Sequence, residues 1–305
     1  MPLRKEFDEI AGDPTARHAD VKKAHWNCHG VCNCHCKFCY GMFVGHPAMR
    51  TSDACLLIDK VATGGVHELV FGGGDPSLRS DLDQLVHYAA SKGLRVEIQT
   101  NAQKLPSQRV SSLHPYVTRW GLSLDSAIEE VHDKVRGKTG NFRKVRQTAE
   151  LLVSLGAEWN LRTVVSAPTV NNFGDIGEWL SEIGFEGIWY PLEYTPLGDE
   201  MGNRPLFEIT GNQFMVATHA VEIRYRDAGF QVVTVSDDLR RGIYFLIAPD
   251  GAVYNHPPPG EEYTIVGNIL RDEFRELVLR LRIDFDLHYA RYGSVANGAR
   301  LRSEH

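Results

Sequence analysis

Cysteine is nearly absent from most of this sequence. Of six cysteines in 305 residues, five lie between Cys28 and Cys39, and only Cys55 stands elsewhere. A disulfide framework spreads its cysteines along the chain. One tight cluster points instead to metal binding in a reducing compartment such as the cytoplasm. Cys55 reads as a small buried hydrophobe. Long apolar runs are missing too, and no stretch reaches the roughly 20 residues of a membrane span. The N-terminal MPLRKEFDEIAGDP has no apolar centre of the kind a signal peptide carries. Runs of lysine or arginine are absent, and the formal net charge is −6, which argues against nucleic acid as the main partner. What remains is 43% hydrophobic and 24% charged, an ordinary globular balance with a core that needs no metal to form.

Strand-like and helix-like segments alternate after a polar lead-in over 1–20, which reads as flexible. Strands are expected at 22–27, 67–74, 94–99, 118–125, 159–166 and 187–194. Helices are expected near 52–63, 79–91, 107–113, 141–155 and 174–183. Six β/α units of this kind imply an α/β fold in which a parallel sheet over 21–200 curls into a partial (β/α)6 barrel. In such folds the chemistry sits at the C-terminal ends of the strands. A small α+β extension follows over 201–305, with a helix at 210–227, a strand at 230–235, a hairpin at 243–254 around Pro249-Asp250-Gly251 and a helix at 271–282. It is expected to close the barrel and cover a substrate. The end beyond Gly293 reads as loose.

The run VCNCHCKFCYG contains Cys32, Cys36 and Cys39 in the spacing C-x3-C-x2-C. Three thiolates so spaced can hold three irons of a [4Fe–4S] cube and leave the fourth iron without a protein ligand. Clusters used only for electron transfer take four cysteines. A closed cluster on Cys28, Cys32, Cys36 and Cys39, and a zinc knuckle using His29 or His35, are the rivals. Zinc sites usually have a separate second half, and none follows here. Cys28 and Cys34 read as bystanders.

This cysteine spacing, with Phe38 just before the last thiol, resembles the signature of radical S-adenosylmethionine (SAM) enzymes. GGGDP at 72–76 resembles the family's glycine-rich turn after the second strand, with Asp75 in place of Glu. GLSLDSAIEEVHDKVRGKTGNFRKV, LRTVVSAPTVNNFGDI and YPLEYTPLG continue the match over about 22–200. The resemblance implies a [4Fe–4S] cluster on Cys32, Cys36 and Cys39, whose open iron binds SAM. It implies reductive cleavage of SAM to a 5′-deoxyadenosyl radical that abstracts hydrogen from a substrate. It also implies a low-potential electron donor such as flavodoxin or ferredoxin. SAM contacts are expected from Phe38, Tyr40, the turn Gly72-Gly73-Gly74-Asp75, Thr100, Asn101, Ser123 and Asp125. Arg136 is expected to pair with the SAM carboxylate.

The tail resembles a SPASM-type extension, but Tyr254-Asn255-His256 stands where a cluster-ligating cysteine is expected. A single cluster follows. The stretch TPLGDEMGNRPLFEITGNQF, then GIYFLIAPDG and VGNIL, resembles viperin-like nucleotide dehydratases. Those enzymes present lysines to a nucleoside triphosphate. The matching stretches here hold Glu68 and Asn160-Leu161-Arg162, so a less anionic small polar substrate is expected: a nucleoside, nucleotide or sugar derivative, dehydrated, decarboxylated or oxidised. Glu193 at a strand end and Tyr244 are the expected catalytic side chains. Asn27, Arg162, Tyr194 and His256 are the expected substrate contacts, and His25 reads as an ordinary satisfied histidine. A peptide-modifying enzyme and a non-enzymatic iron–sulfur carrier or sensor are the alternative readings.

Overall fold

The computed structural model describes residues 21–39, 41, 43–196, 203–256 and 263–292. Six parallel strands run in chain order: β1 (Lys23–Asn27), β2 (Glu68–Gly72), β3 (Arg95–Thr100), β4 (Arg119–Ser123), β5 (Trp159–Val165) and β6 (Ile188–Glu193). Helices α1 (Thr51–Thr63), α2 (Leu82–Ser91), α3 (Ser107–Leu113), α4 (Glu129–Arg136), α5 (Asn141–Ser154) and α6 (Ile176–Glu182) lie in the connections. Helix α4 was not expected as a separate helix. Its sequence EEVHDKVR buries only His132 and Val135, and Gly137 stops it with φ of +60°.

The tail extends the same sheet at both edges. Strand β7 (Gln231–Val232) joins β6, and β8 (Phe245–Ile247) pairs parallel with β1. Strands β9 (Ala252–Tyr254) and β10 (Ile265–Asn268) complete the order β10-β9-β8-β1-β2-β3-β4-β5-β6-β7. Helices α7 (Arg204–Phe207), α8 (Gly211–Arg224), α9 (Phe274–Leu281) and α10 (Phe285–Tyr292) accompany them. Helix α10 was not anticipated. No helix among the described residues is long and apolar enough to cross a membrane.

Side chains alternate between the two faces of each strand. One face packs against the helices and is apolar: Trp26, Leu69, Phe71, Val96, Ile98, Trp120, Leu122, Leu161 and Trp189 are buried there. Burying each such side chain contributes roughly 1.5–3 kcal/mol. The other face lines the lumen of the partial barrel and is largely polar. Lys23, His25 and Asn27 of β1 lie on it, as do Glu68, Glu97, Gln99, Arg119, Ser123, Asn160, Arg162 and Tyr190.

Candidate active site around the cysteine loop

The cysteine loop leaves the C-terminal end of β1. Its neck is closed by Gly30 N donating to His46 O (2.9 Å) and Gly45 N donating to Gly30 O (3.1 Å). Two walls then seat it. The first is the glycine turn after β2, where Gly74 N donates to His29 O (2.8 Å) and Asp75 N to Val31 O (2.9 Å). A Cβ on Gly74 would lie 2.0 Å from Val31 O, so the contact requires glycine. The second wall is the end of α4, where His35 N donates to Arg136 O (3.0 Å). Gly72 O accepts from Cys28 N (2.9 Å) and Asp75 O lies 2.6 Å from His29 Nε2, so the groups the turn has for a ligand's ammonium are the Gly73 and Gly74 carbonyls.

Asp75 has a different task from the one expected. Its buried carboxylate accepts from Ser77 N (2.9 Å), Thr100 Oγ1 (2.9 Å) and Asn101 N (2.7 Å). Burial raises its pKa, against these hydrogen bonds. It therefore holds the loops after β2 and β3 together. Thr100 serves the same joint. Asn101 does reach the cysteine loop: its Nδ2 lies 3.5 Å from Cys32 Sγ and 2.9 Å from Asn33 Oδ1.

Arg136 and Asp125 were expected as separate contacts, and the structure pairs them. Arg136 donates through Nε (2.5 Å) and Nη2 (2.9 Å) to the Asp125 carboxylate, which also accepts from Val164 N (2.9 Å). Burial would lower the Arg136 pKa, but the Asp125 charge more than offsets it. The guanidinium carries more donors than Asp125 takes, and its carbon lies 5.2 Å from the centre of the Phe38 ring. Phe38 is buried among Val135, Tyr194 and Phe207. Ser123 ends β4 on the lumen face, level with Arg162. Tyr40 lies outside the described residues.

Cys32 and Cys39 are exposed and Cys36 is half-buried. A hydrogen bond with the Cys34 thiol helps bring the Cys32 thiol down to about 7. Burial pushes Cys36 up to about 12, against the pull of Arg136. Cys28 is fully buried under the sheet and is likewise pushed up to about 12. Among the described residues no three His, Cys, Asp or Glu side chains converge on one point as ligands of a single ion do. Thiolates that each hold a different iron need no such convergence. Three cysteines on one seated loop, with N–H groups of Cys34 and Asn101 aimed at Cys32 Sγ (3.5 Å each), fit a [4Fe–4S] cluster.

The expected substrate residues do not all gather. Glu193 pairs in register with Val165, on the face away from the lumen, and its carboxylate accepts from Asp237 N (2.8 Å). Tyr244 precedes β8, level with Lys23 at the N-terminal end of β1, so it sits at the far end of the lumen from the cysteine loop. Its ring meets His25 (5.1 Å) and His256 (6.1 Å). Glu193 and Tyr244 thus lie on different faces of the sheet. Arg162 bonds Glu97 (2.8 Å) and Asn160 (2.7 Å). Asn27 donates to Tyr254 Oη (2.6 Å), and Tyr194 packs beside Phe38.

Sequence reasoning missed the buried ion cluster beneath these groups. Lys23 Nζ meets Glu68 (2.5 Å) and Glu97 (2.6 Å), while Arg119 and Arg162 close on the same carboxylates. The signal was present in β3, where Arg95, Glu97 and Gln99 alternate with Val96, Ile98 and Thr100.

Comparison with known proteins bears on this site. The sequence profile of the radical SAM superfamily matches residues 26–180. An AdoMet-dependent heme synthase of Oleidesulfovibrio alaskensis is 30% identical over 177 residues, covering 57% of this chain and 45% of that protein. The chain thus spans about half the length of such relatives. An S-adenosylmethionine-dependent nucleotide dehydratase of Selenomonas ruminantium is 26% identical over 271 residues, covering 86% of this chain and 95% of that protein. Among solved structures, Streptococcus suis SuiB bound to S-adenosylmethionine superposes with a TM-score of 0.69 over 95% of this chain and 71% of SuiB, at 14% identity. That likeness concerns the fold. The chain belongs to the radical SAM superfamily, whose members use a [4Fe–4S] cluster and S-adenosylmethionine.

Proposed function

We propose that this chain is a radical SAM enzyme that removes a hydrogen atom from a small polar substrate held in the barrel lumen. The substrate class is a nucleoside, nucleotide or sugar derivative, and the outcome a dehydration, decarboxylation or oxidation. The observation that carries the reading is the seated cysteine loop, with Cys32, Cys36 and Cys39 at the open end of a polar lumen. When bound, the cluster supplies the electron that cleaves SAM to methionine and a 5′-deoxyadenosyl radical.

The chain's own residues supply the rest. The three thiolates would hold the cluster, and Asn101 and the Cys34 amide donate toward Cys32 Sγ. The Gly73 and Gly74 carbonyls would accept from the SAM ammonium, and the spare N–H groups of Arg136 would serve its carboxylate. Phe38 offers an aromatic wall. Exposed Cys32 and Cys39 leave an entry for electrons from a small donor such as flavodoxin or ferredoxin. Asn27, Gln99 and Ser123 face the substrate without adding charge.

The nucleotide dehydratase relative covers most of both chains, which supports a nucleoside-like substrate. Glu68 and Glu97 argue against a triphosphate, because they neutralise cations that such a ligand needs. The deciding experiment is anaerobic reconstitution followed by SAM and dithionite. Release of 5′-deoxyadenosine is expected, and its absence from protein with verified iron content would overturn the reading.

A further inference from the structure

The lower lumen holds more positive charge than its carboxylates balance. Lys23, Arg95, Arg119 and Arg162 share Glu68, Glu97 and Glu158. A fifth cation, Arg291, arrives from α10 and has no carboxylate partner among the described residues. Five cations then face three carboxylates. Helix α10 is fixed at this end of the barrel, where Lys22 N donates to His288 Nε2 (2.9 Å) and His288 Nδ1 meets Ile243 O (2.7 Å). Arg291 is half-buried, beside the phenols of Tyr190, Tyr244 and Tyr292.

His25 adds an independent sign. Its Nε2 is buried with no hydrogen-bond partner among the described residues. Tyr244 stands against its ring at 5.1 Å and Tyr292 at 6.3 Å. Arg162 and Arg291 both act electrostatically on it. Burial and the Lys23 ammonium hold His25 neutral, its pKa well below the usual histidine range. A neutral ring can donate one hydrogen bond from Nε2. Buried polar atoms and partly buried charges are normally paired, so their coincidence at one place marks a ligand position.

We propose that the lower lumen is a binding site for a small oxyanion, a carboxylate or phosphate monoester, held by His25, Arg162, Tyr190, Tyr244 and Arg291. The anion would be the acidic end of the substrate, with its reactive carbon directed up toward the cysteine loop. This names the substrate class of the lumen and rests on the function proposed above for the reaction alone. The guanidiniums supply charge, while His25 Nε2 and the phenols supply directed hydrogen bonds. A triphosphate would bring more negative charge than two unmatched cations balance.

The test uses the full chain and needs no cluster, so its failure is distinct from failure of the radical reading. Inorganic phosphate and acetate are titrated separately by calorimetry and by melting temperature. At least one should bind saturably and raise the melting temperature. Arg291→Gln should weaken that binding about tenfold or more, as loss of a charge-assisted contact does. In buffer free of oxyanion the same variant should lose only the hydrogen bond and ring contact that Arg291 makes with Tyr292, and so melt within a few degrees of the wild type. Tyr244→Phe should weaken binding less than Arg291→Gln. No saturable binding of either ion, or binding by Arg291→Gln within about twofold of wild type, would overturn the proposal.

Discussion

Two layers of the same lumen differ sharply. The upper layer, nearest the cysteine loop, presents Asn27, Gly72, Gln99, Ser123, Val164 and Leu192. The lower layer presents Lys23, Glu68, Glu97 and Arg119, and Arg162 reaches down to Glu97 from its place in register with Ser123. Only a few residues of strand separate them. The upper layer is uncharged, so it can enclose a reactive species without offering it ions or bound water. The lower layer is charged but mostly self-neutralised. A buried ion pair contributes little net stability, yet breaking one is costly. The lower layer therefore sets the floor and the electrostatics of the lumen, and the upper layer hosts the chemistry.

The largest expected effects come from breaking either layer at its centre. Cys32→Ala should abolish cluster iron and 5′-deoxyadenosine formation, whereas Cys28→Ala, under the sheet, should retain both. Iron assay and absorbance separate the two; equal loss in both would favour a closed four-cysteine cluster. In the lower layer, Glu97→Ala takes the carboxylate from Arg162 and leaves Lys23 and Arg119 to share Glu68. It should cost about 3–5 kcal/mol in denaturant unfolding. Ser123→Ala in the upper layer should stay within about 0.5 kcal/mol.

The layers should also separate by pH. Burial raises the Glu97 pKa, but Lys23, Arg162 and Arg119 together drive it well below the ordinary 4.5. A depressed folded pKa contributes stability that is present above the unfolded value and is lost as pH falls through the folded one. Acid titration of the wild type should therefore show a loss below about pH 4.5 that Glu97→Gln lacks. The upper layer has no acidic or basic side chain, so Ser123→Ala should leave the shape of the acid transition unchanged, whereas Gln99→Leu, which removes a donor to Glu97 (3.1 Å), should not.

The sequence made the barrel strands and the cysteine loop legible because both have local signals. Strands repeat with period two between glycine breaks, and C-x3-C-x2-C is compact. The pairings were not legible, because they join residues far apart in sequence. Arg136 with Asp125 spans two elements, and Lys23 with Glu97 spans three strands. Glu193 shows the limit well. Its place at a strand end suggested chemistry, but a one-residue step in register turns a side chain to the other face. Helix α10 has weak amphipathic signals, and its Arg291 and Tyr292 matter only once the chain has folded back to β1.

The smallest effect tests whether polar groups of the upper site act on the cluster rather than on the fold. Asn101→Ala removes donors to Cys32 Sγ and Asn33 Oδ1 and the acceptor of Gln103 N, while the backbone bond from Asn101 N to Asp75 survives. Only about 1 kcal/mol of stability should be lost. Hydrogen bonds to ligand sulfur help set cluster potential, since they stabilise the more negative reduced state. The reconstituted variant should therefore show a more negative midpoint potential in a spectroscopic redox titration. Its unfolding midpoint should change far less than that of Glu97→Ala. An unchanged potential with a large stability loss would place Asn101 with the structural lower layer, and the division between the two layers would fail at that residue.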